Sequence, residues 1–276
     1  MYKLKILIVL YNKLPLESET LVSFLTFKEQ LSNYAKLIIW DNSKKYWNDN
    51  QVEKMKEALA PLQFKYVANG LNTSLSKLYN KVIQTINHDE FLVIFDHDSS
   101  INISYFEKLQ QSIKKNQDIN LFVPIVIYDN QIVSPATLWH FKGSYWKNEK
   151  YGKISSKGVT AINSGMAIRG SYLASEFIGY DEDLKFYGTD DDFMWKYSKD
   201  NSHFYVLNTR IDHVLNFFEN TSLNDKIFRF NASKEGCLLQ LKKRSKLIYL
   251  MGVVYYLLLT LKYTVRYRSV HFIKKR

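Results

Sequence analysis

Cysteine is almost missing from this chain. Cys237, alone among 276 residues, excludes an intramolecular disulfide framework and any cysteine-built zinc cluster, and it suits a reducing compartment. No stretch rich in Gly, Pro or Ser divides the sequence and no segment repeats, so neither a flexible linker nor a repeat array is expected. The N-terminus, from Lys3 to Asn12, lacks the longer apolar core and the small-residue cleavage site of a secretory signal. What is present forms cores: 46% of residues are hydrophobic, 24% charged and 15% aromatic. That is one large domain, or a domain with an appendage, and not a disordered protein.

Acid is missing too, but only locally. Lys+Arg 38 against Asp+Glu 27 gives a formal net charge of +11, a balance that points to nucleic acid or to an anionic membrane. From Gly236 to Arg276 there is no Asp or Glu, while Lys242, Lys243, Arg244, Lys246, Lys262, Arg266, Arg268, Lys274, Lys275 and Arg276 supply ten positive charges. Without those ten, 28 basic residues face 27 acidic ones. Residues 1–235 are therefore near neutral, no nucleic-acid partner is expected of them, and 236–276 read as a separate basic tail.

Apolar runs set the rest of the organisation. The run before Tyr11-Asn12 predicts a buried strand, and 37–40, 64–67 and 91–95 predict three more. These end at Asp41-Asn42-Ser43, at Asn69-Gly70 and at Asp96-His97-Asp98, with helical patterns over 17–34, 51–59 and 74–86 between them. Four strands alternating with helices predict an α/β domain with a mostly parallel sheet, whose ligands sit outside the carboxyl ends of the strands. Strands are also expected over 122–128, 160–162 and 206–214, and a helix from Thr189 to Tyr197; 138–146 is too aromatic to assign.

Two acidic groups could carry chemistry. Asp96 and Asp98, two residues apart where a strand breaks into a loop, can turn toward one Mg²⁺ or Mn²⁺ and a diphosphate. The same pair also suits an ordinary polar strand end. Thr189-Asp190-Asp191-Asp192 opens a helix, where Thr or Asp can cap and carboxylates meet the positive helix end. Three consecutive Asp residues exceed what capping needs, and crowding raises at least one pKa, as a general base requires. His97 and His213 read as structural, Asn69-Gly70 as a turn pair, and Asp41 as an Asx-turn.

Taken in order, these pieces resemble the family-2 glycosyltransferases of the GT-A fold, a Rossmann-like nucleotide-diphospho-sugar transferase fold, and among them rhamnosyltransferase-like enzymes of bacterial surface-polysaccharide synthesis. The resemblance rests on Tyr11-Asn12, Asp41-Asn42-Ser43, Asn69-Gly70-Leu71 with Asn80, and Phe95-Asp96-His97-Asp98-Ser99. It continues through Asn163-Ser164-Gly165 and Gly179-Tyr180-Asp181-Glu182 into Asp190-Asp191-Asp192-Phe193, covering residues 4–215. It implies an inverting, metal-dependent hexosyltransferase. Tyr11, Asn12, Asp41, Asn69, Gly70, Asn80, Asp96 and Gly165 would meet the substrate, and Asp41 in particular the nucleotide. Asp96, Asp98 and His213 would hold Mn²⁺ or Mg²⁺. Asp190 or Asp191 would be the base, since Thr189 stands where the family has Glu. The implied donor is dTDP-rhamnose or a UDP-hexose, and the implied acceptor a glycan or lipid-linked oligosaccharide.

The tail carries an apolar run, Leu247 to Leu261, about 22 Å long as a helix and short for a bilayer core of about 30 Å. With basic flanks on both sides, it predicts a helix lying in the cytoplasmic leaflet, which would place the protein peripherally on the inner face of the plasma membrane. Packing on the domain is the alternative. Two rival functions have sequence support: a haloacid-dehalogenase-type phosphatase, which also uses a strand followed by D-x-D, and a non-enzymatic nucleic-acid-binding protein.

Overall fold

The computed structural model describes residues 1–213 and 222–273. Strand and helix alternate as the apolar runs dictate: β1 (Lys3–Leu10), α1 (Glu19–Leu31), β2 (Ala35–Asp41), α2 (Asp49–Leu59), β3 (Phe64–Ala68), α3 (Leu75–Ile83) and β4 (Glu90–Asp96). Helix starts are fixed by side chains that accept orphan N–H groups: Ser18 from Leu21 at α1, and Asn48 from Gln51 at α2. Then come β5 (Ser99–Ser100), α4 (Ile103–Lys115), β6 (Leu121–Tyr128) and β7 (Gln131–Ser134). The aromatic stretch left unassigned in the sequence forms β8 (Ala136–Trp139) and β9 (Lys142–Tyr145), an antiparallel hairpin. It is followed by β10 (Gly152–Ser155), β11 (Val159–Thr160), β12 (Met166–Arg169), α5 (Gly170–Ser175), α6 (Thr189–Asp200), β13 (His203–His213), α7 (Leu223–Arg244) and α8 (Lys246–Tyr267).

The main sheet runs β10-β13-β6-β12-β4-β1-β2-β3. Parallel pairing joins β4, β1, β2 and β3, and also β6 with β13, while β12 lies antiparallel between β4 and β6. Side chains alternate across β1: Leu4, Ile6, Ile8 and Leu10 enter one core with α1, α2 and α4, while Leu7 and Val9 enter the other with α3, α5 and α6. Both faces are thus covered and the strand ends stay open for ligands.

Two of the expected strands have other bounds. The strand expected over 160–162 is limited to β11, and the one over 206–214 begins three residues earlier, at His203, with Val214 outside the described residues. The division expected at 235/236 falls inside α7, one unbroken helix of 22 residues. Finally, α8 extends past the apolar run to Tyr267. Its 22 residues reach about 33 Å, and by length and composition it could cross a membrane, with mean hydropathy 1.5 and 11% of its apolar window buried. Lys274, Lys275 and Arg276 lie outside the described residues.

Candidate active site

At the carboxyl ends of β1 and β4 and the end of β13 opens a cavity of ≈ 480 Å³, lined by Tyr11, Asn42, Asp96, Asp98, Tyr187 and His213 among others. The loop after β4 is held firmly. Thr20 Oγ1 donates to the Asp96 carbonyl at 2.5 Å and Ser18 Oγ to the His97 carbonyl at 2.9 Å, so the start of α1 fixes the two carboxylates. Pairing of β5 with β13 sets Ser99 opposite His213, and Ser99 Oγ lies 3.0 Å from His213 Nδ1. As a result one ligand atom from each of Asp96, Asp98 and His213 falls within 4.8 Å of the others. Burial, and then the Asp96 charge, push the Asp98 carboxyl above its usual range. Two crowded carboxylates and an imidazole form a donor set that a divalent cation such as Mn²⁺ satisfies, relieving their repulsion. These residues can hold a metal ion.

A second cavity of ≈ 410 Å³ contains Thr160, Asp190, Asp191, Gln240 and Tyr256, and Tyr187 lines both cavities. The cap expected from Thr189 or an Asp is absent: Gly188 is the N-cap of α6, at φ 85° with no side-chain cap, and Thr189 is buried as the first helical residue. The left-handed backbone at this cap calls for glycine. Gln240 donates its amide to the Gly188 carbonyl at 2.8 Å and sits so close that a Cβ at position 188 would collide with it.

The three aspartates of α6 differ in their compensation. Asp192 pairs with Lys196 at 2.7 Å and faces Arg244 at 3.6 Å. Asp191 accepts a hydrogen bond from the Thr160 hydroxyl, and burial pushes its carboxyl up while Thr160 and Arg244 draw it down. Asp190 is pushed up to about 7, by burial first and then by the charge of Asp191, with Asp96 adding to it. A carboxylate poised there can accept a proton near neutral pH.

The structure distributes the residues singled out in the sequence unevenly. Tyr11 lines the first cavity, and Asn12, at φ 52°, donates its N–H to Ser43 Oγ. Asp41 is wholly buried behind the cavity wall, its carboxylate accepting from Ser43 N at 3.0 Å and Tyr66 OH at 2.8 Å. Asn42 stands at the wall in its place. Asn69 accepts from Leu71 N to close the turn at Gly70. Asn80 is committed elsewhere, donating to the Tyr180 carbonyl at 3.0 Å and accepting from its N–H at 2.7 Å. Gly165, at φ 81°, leaves no room for a Cβ against Pro124 and Ile211, so it serves packing. His97, read as structural, lines the cavity. Gln240, Arg244 and Tyr256 were not found from sequence, because they face the site from helices that carry no motif.

Residues 5–174 match the family described as "Glycosyl transferase family 2". No curated protein matches the sequence. Among solved structures, similarity extends to GalNAc-T7 with UDP, GalNAc and Mn²⁺, at TM-score 0.61 and 14% identity over 87% of this chain and 48% of that one. It extends also to S. aureus TarS 1-349, at TM-score 0.60 and 15% identity over 87% and 65%. A third is the mannosyltransferase PcManGT from Pyrobaculum calidifontis in complex with GDP-Man and Mn²⁺, at TM-score 0.59 and 12% identity over 89% and 65%. The chain thus spans about half to two-thirds of the length of these structures. The fold they share is the α/β GT-A arrangement.

Proposed function

The chain belongs to glycosyl transferase family 2, and we propose that it transfers a hexose from a nucleotide-diphosphate donor to an acceptor hydroxyl with inversion. The observation that carries this reading is the pairing of two cavities across Tyr187: Asp96, Asp98 and His213 belong to one and Asp190 to the other. Donor and acceptor can each occupy one, with their reacting atoms meeting between.

The acceptor oxygen attacks the anomeric carbon as the bond from that carbon to the diphosphate breaks, and Asp190 takes the hydroxyl proton. A single displacement through an oxocarbenium-like state inverts the configuration, by analogy with glycosidase chemistry. A divalent cation held by Asp96, Asp98 and His213 would neutralise charge on the departing nucleoside diphosphate. Asp190 is preferred to Asp191 as base because Thr160 and Arg244 already compensate Asp191. Arg244 and Gln240 position α6, so the protein as a functional unit includes α7.

For the donor, the loop Asp96-His97-Asp98-Ser99 resembles that of rhamnosyltransferases and supports dTDP-rhamnose, with UDP-hexoses next. The acceptor is a lipid-linked oligosaccharide of bacterial surface-polysaccharide synthesis. Two features of α8 support this: Tyr256 borders the second cavity, while Leu250, Val254, Leu257, Leu258 and Leu261 form an exposed apolar stripe. With its basic flanks, that stripe suits attachment to the anionic inner face of the plasma membrane.

The test is a panel of dTDP-rhamnose, UDP-glucose, UDP-galactose, UDP-N-acetylglucosamine and GDP-mannose, each assayed for binding and for slow hydrolysis with and without Mn²⁺. The proposal expects one donor to bind and to be hydrolysed only with metal. If no donor binds, the reading fails.

A further inference from the structure

A third cavity, of ≈ 330 Å³, lies on the face of β1, β2 and β3 beside α3. Leu75, at the start of α3, lines the first cavity, while Val82 and Thr85, at and just past its other end, line this one. The two linings adjoin across the sheet, where Val9 of the first cavity pairs with Trp40 of this one. The groove shares no lining residue with either cavity of the proposed transfer site.

Its lining is unusual in charge. Lys5 and Lys36 stand directly opposite each other in the β1–β2 register, and Lys65 stands opposite Ile38 in the β2–β3 register. Lys81 faces them from α3. Like charges opposed across a sheet destabilise it unless something answers them. Among the described residues, Glu90 pairs with Lys5 at 3.2 Å, while Lys36, Lys65 and Lys81 have no ion pair, and no carboxylate lines the groove. Its floor is apolar, formed by Ile38, Val67 and Val82. Trp40 also lines it, 7% exposed, and its indole Nε1–H has no hydrogen-bond partner among the described residues. A buried donor left in that state costs free energy that an acceptor on a ligand would recover.

We propose that this groove is a binding site for a phosphomonoester joined to an apolar or aromatic body. The phosphate oxygens accept from the lysine ammonium groups and from Trp40 Nε1–H, and the body lies on Ile38, Val67 and Val82. The volume is that of a small-molecule pocket. Two sources share this chemistry: a nucleoside monophosphate and a prenyl phosphate. The inference is independent of the transfer reaction.

The experiment follows the five tryptophan indole N–H resonances of the full-length ¹⁵N-labelled protein, with Trp40 assigned by its loss in Trp40→Phe. UMP, farnesyl phosphate and inorganic phosphate are titrated separately. The expected result is a saturable shift of the Trp40 resonance with UMP or with farnesyl phosphate, and whichever acts identifies the source. In the Lys36→Gln/Lys65→Gln variant, checked for an unchanged amide spectrum, the apparent Kd should rise at least about tenfold, roughly 1.4 kcal/mol. No shift with either organic phosphate overturns the proposal. So does an equal response to inorganic phosphate alone, which would mean an adventitious ion only, and so does a shift that survives loss of the two lysines.

Discussion

Arg244 Nη2 lies 3.6 Å from Asp192 Oδ1, so the last residue of α7 reaches the first turn of the helix that carries the proposed base. Arg244 also donates to the Asp191 carbonyl at 3.4 Å and to Gln240 Oε1 at 2.6 Å, and its guanidinium lies over Trp195. Both partners of the pair are largely buried, and without Arg244 the Asp192 carboxylate keeps only Lys196, at 2.7 Å. Arg244→Met is expected to lower thermal stability by about 1–3 kcal/mol, through its lost hydrogen bonds to the Asp191 carbonyl and Gln240. It should also cut kcat more than donor affinity. Thermal unfolding and a donor titration on the same sample check both. An unchanged Tm would remove Arg244 from this role.

Asp190→Asn should abolish transfer, a loss of at least about a hundredfold, while donor binding measured by calorimetry persists. Asp191→Asn should keep a larger share of activity, because Thr160 and Arg244 already engage that carboxylate and its backbone. The reverse ranking would move the base to Asp191.

The pH dependence has a definite sign. Asp190, at about 7, works as a base only when ionised, so kcat/KM should rise with pH through about 7 and level off above it. Stability runs the other way. A carboxyl whose pKa is raised on folding resists ionisation, so its contribution is intact below the unfolded value near 4 and is lost as pH climbs through the folded value. Asp190→Asn should therefore melt higher than the parent at pH 8 and no higher at pH 4. Scanning calorimetry at the two pH values decides it.

Mn²⁺ binding should weaken at least about tenfold in Asp98→Asn and in His213→Ala, since each removes one of three converging donors. Calorimetric titration of the metal alone reads this without turnover. Retained affinity in both variants would place the ion elsewhere.

Leu250→Gln/Val254→Gln/Leu257→Gln changes three exposed residues of α8 and should leave the fold intact. Co-sedimentation with vesicles containing anionic phospholipid should fall at least about tenfold. If the triple variant sediments as well as the parent, α8 is not the attachment surface.

The donor half was legible because its signals are local. A buried parallel strand must be continuously apolar, so the point where polarity begins marks the strand end, and Asp96 and Asp98 declare themselves there. His213 could be connected to them only through the family resemblance, since the β5–β13 pairing that brings Ser99 and His213 together joins distant segments. Asp41 is a related case: its place at a strand end says nothing of Tyr66, which comes from the next strand and donates to its carboxylate. Arg244 was counted in the sequence as one more positive charge of a basic tail. In the fold it is a largely buried partner of α6, and nothing in its neighbours' spacing announces that.

Only Ser245, in extended backbone at φ −164°, separates Arg244 from Lys246, where the apolar helix α8 begins. This joint has a bearing on chimeras. Any foreign segment grafted in place of α8 joins the chain one residue beyond the guanidinium that meets Asp192. A graft that unwinds the last turn of α7 would draw Arg244 away from Asp192 and leave Lys196 as that carboxylate's partner.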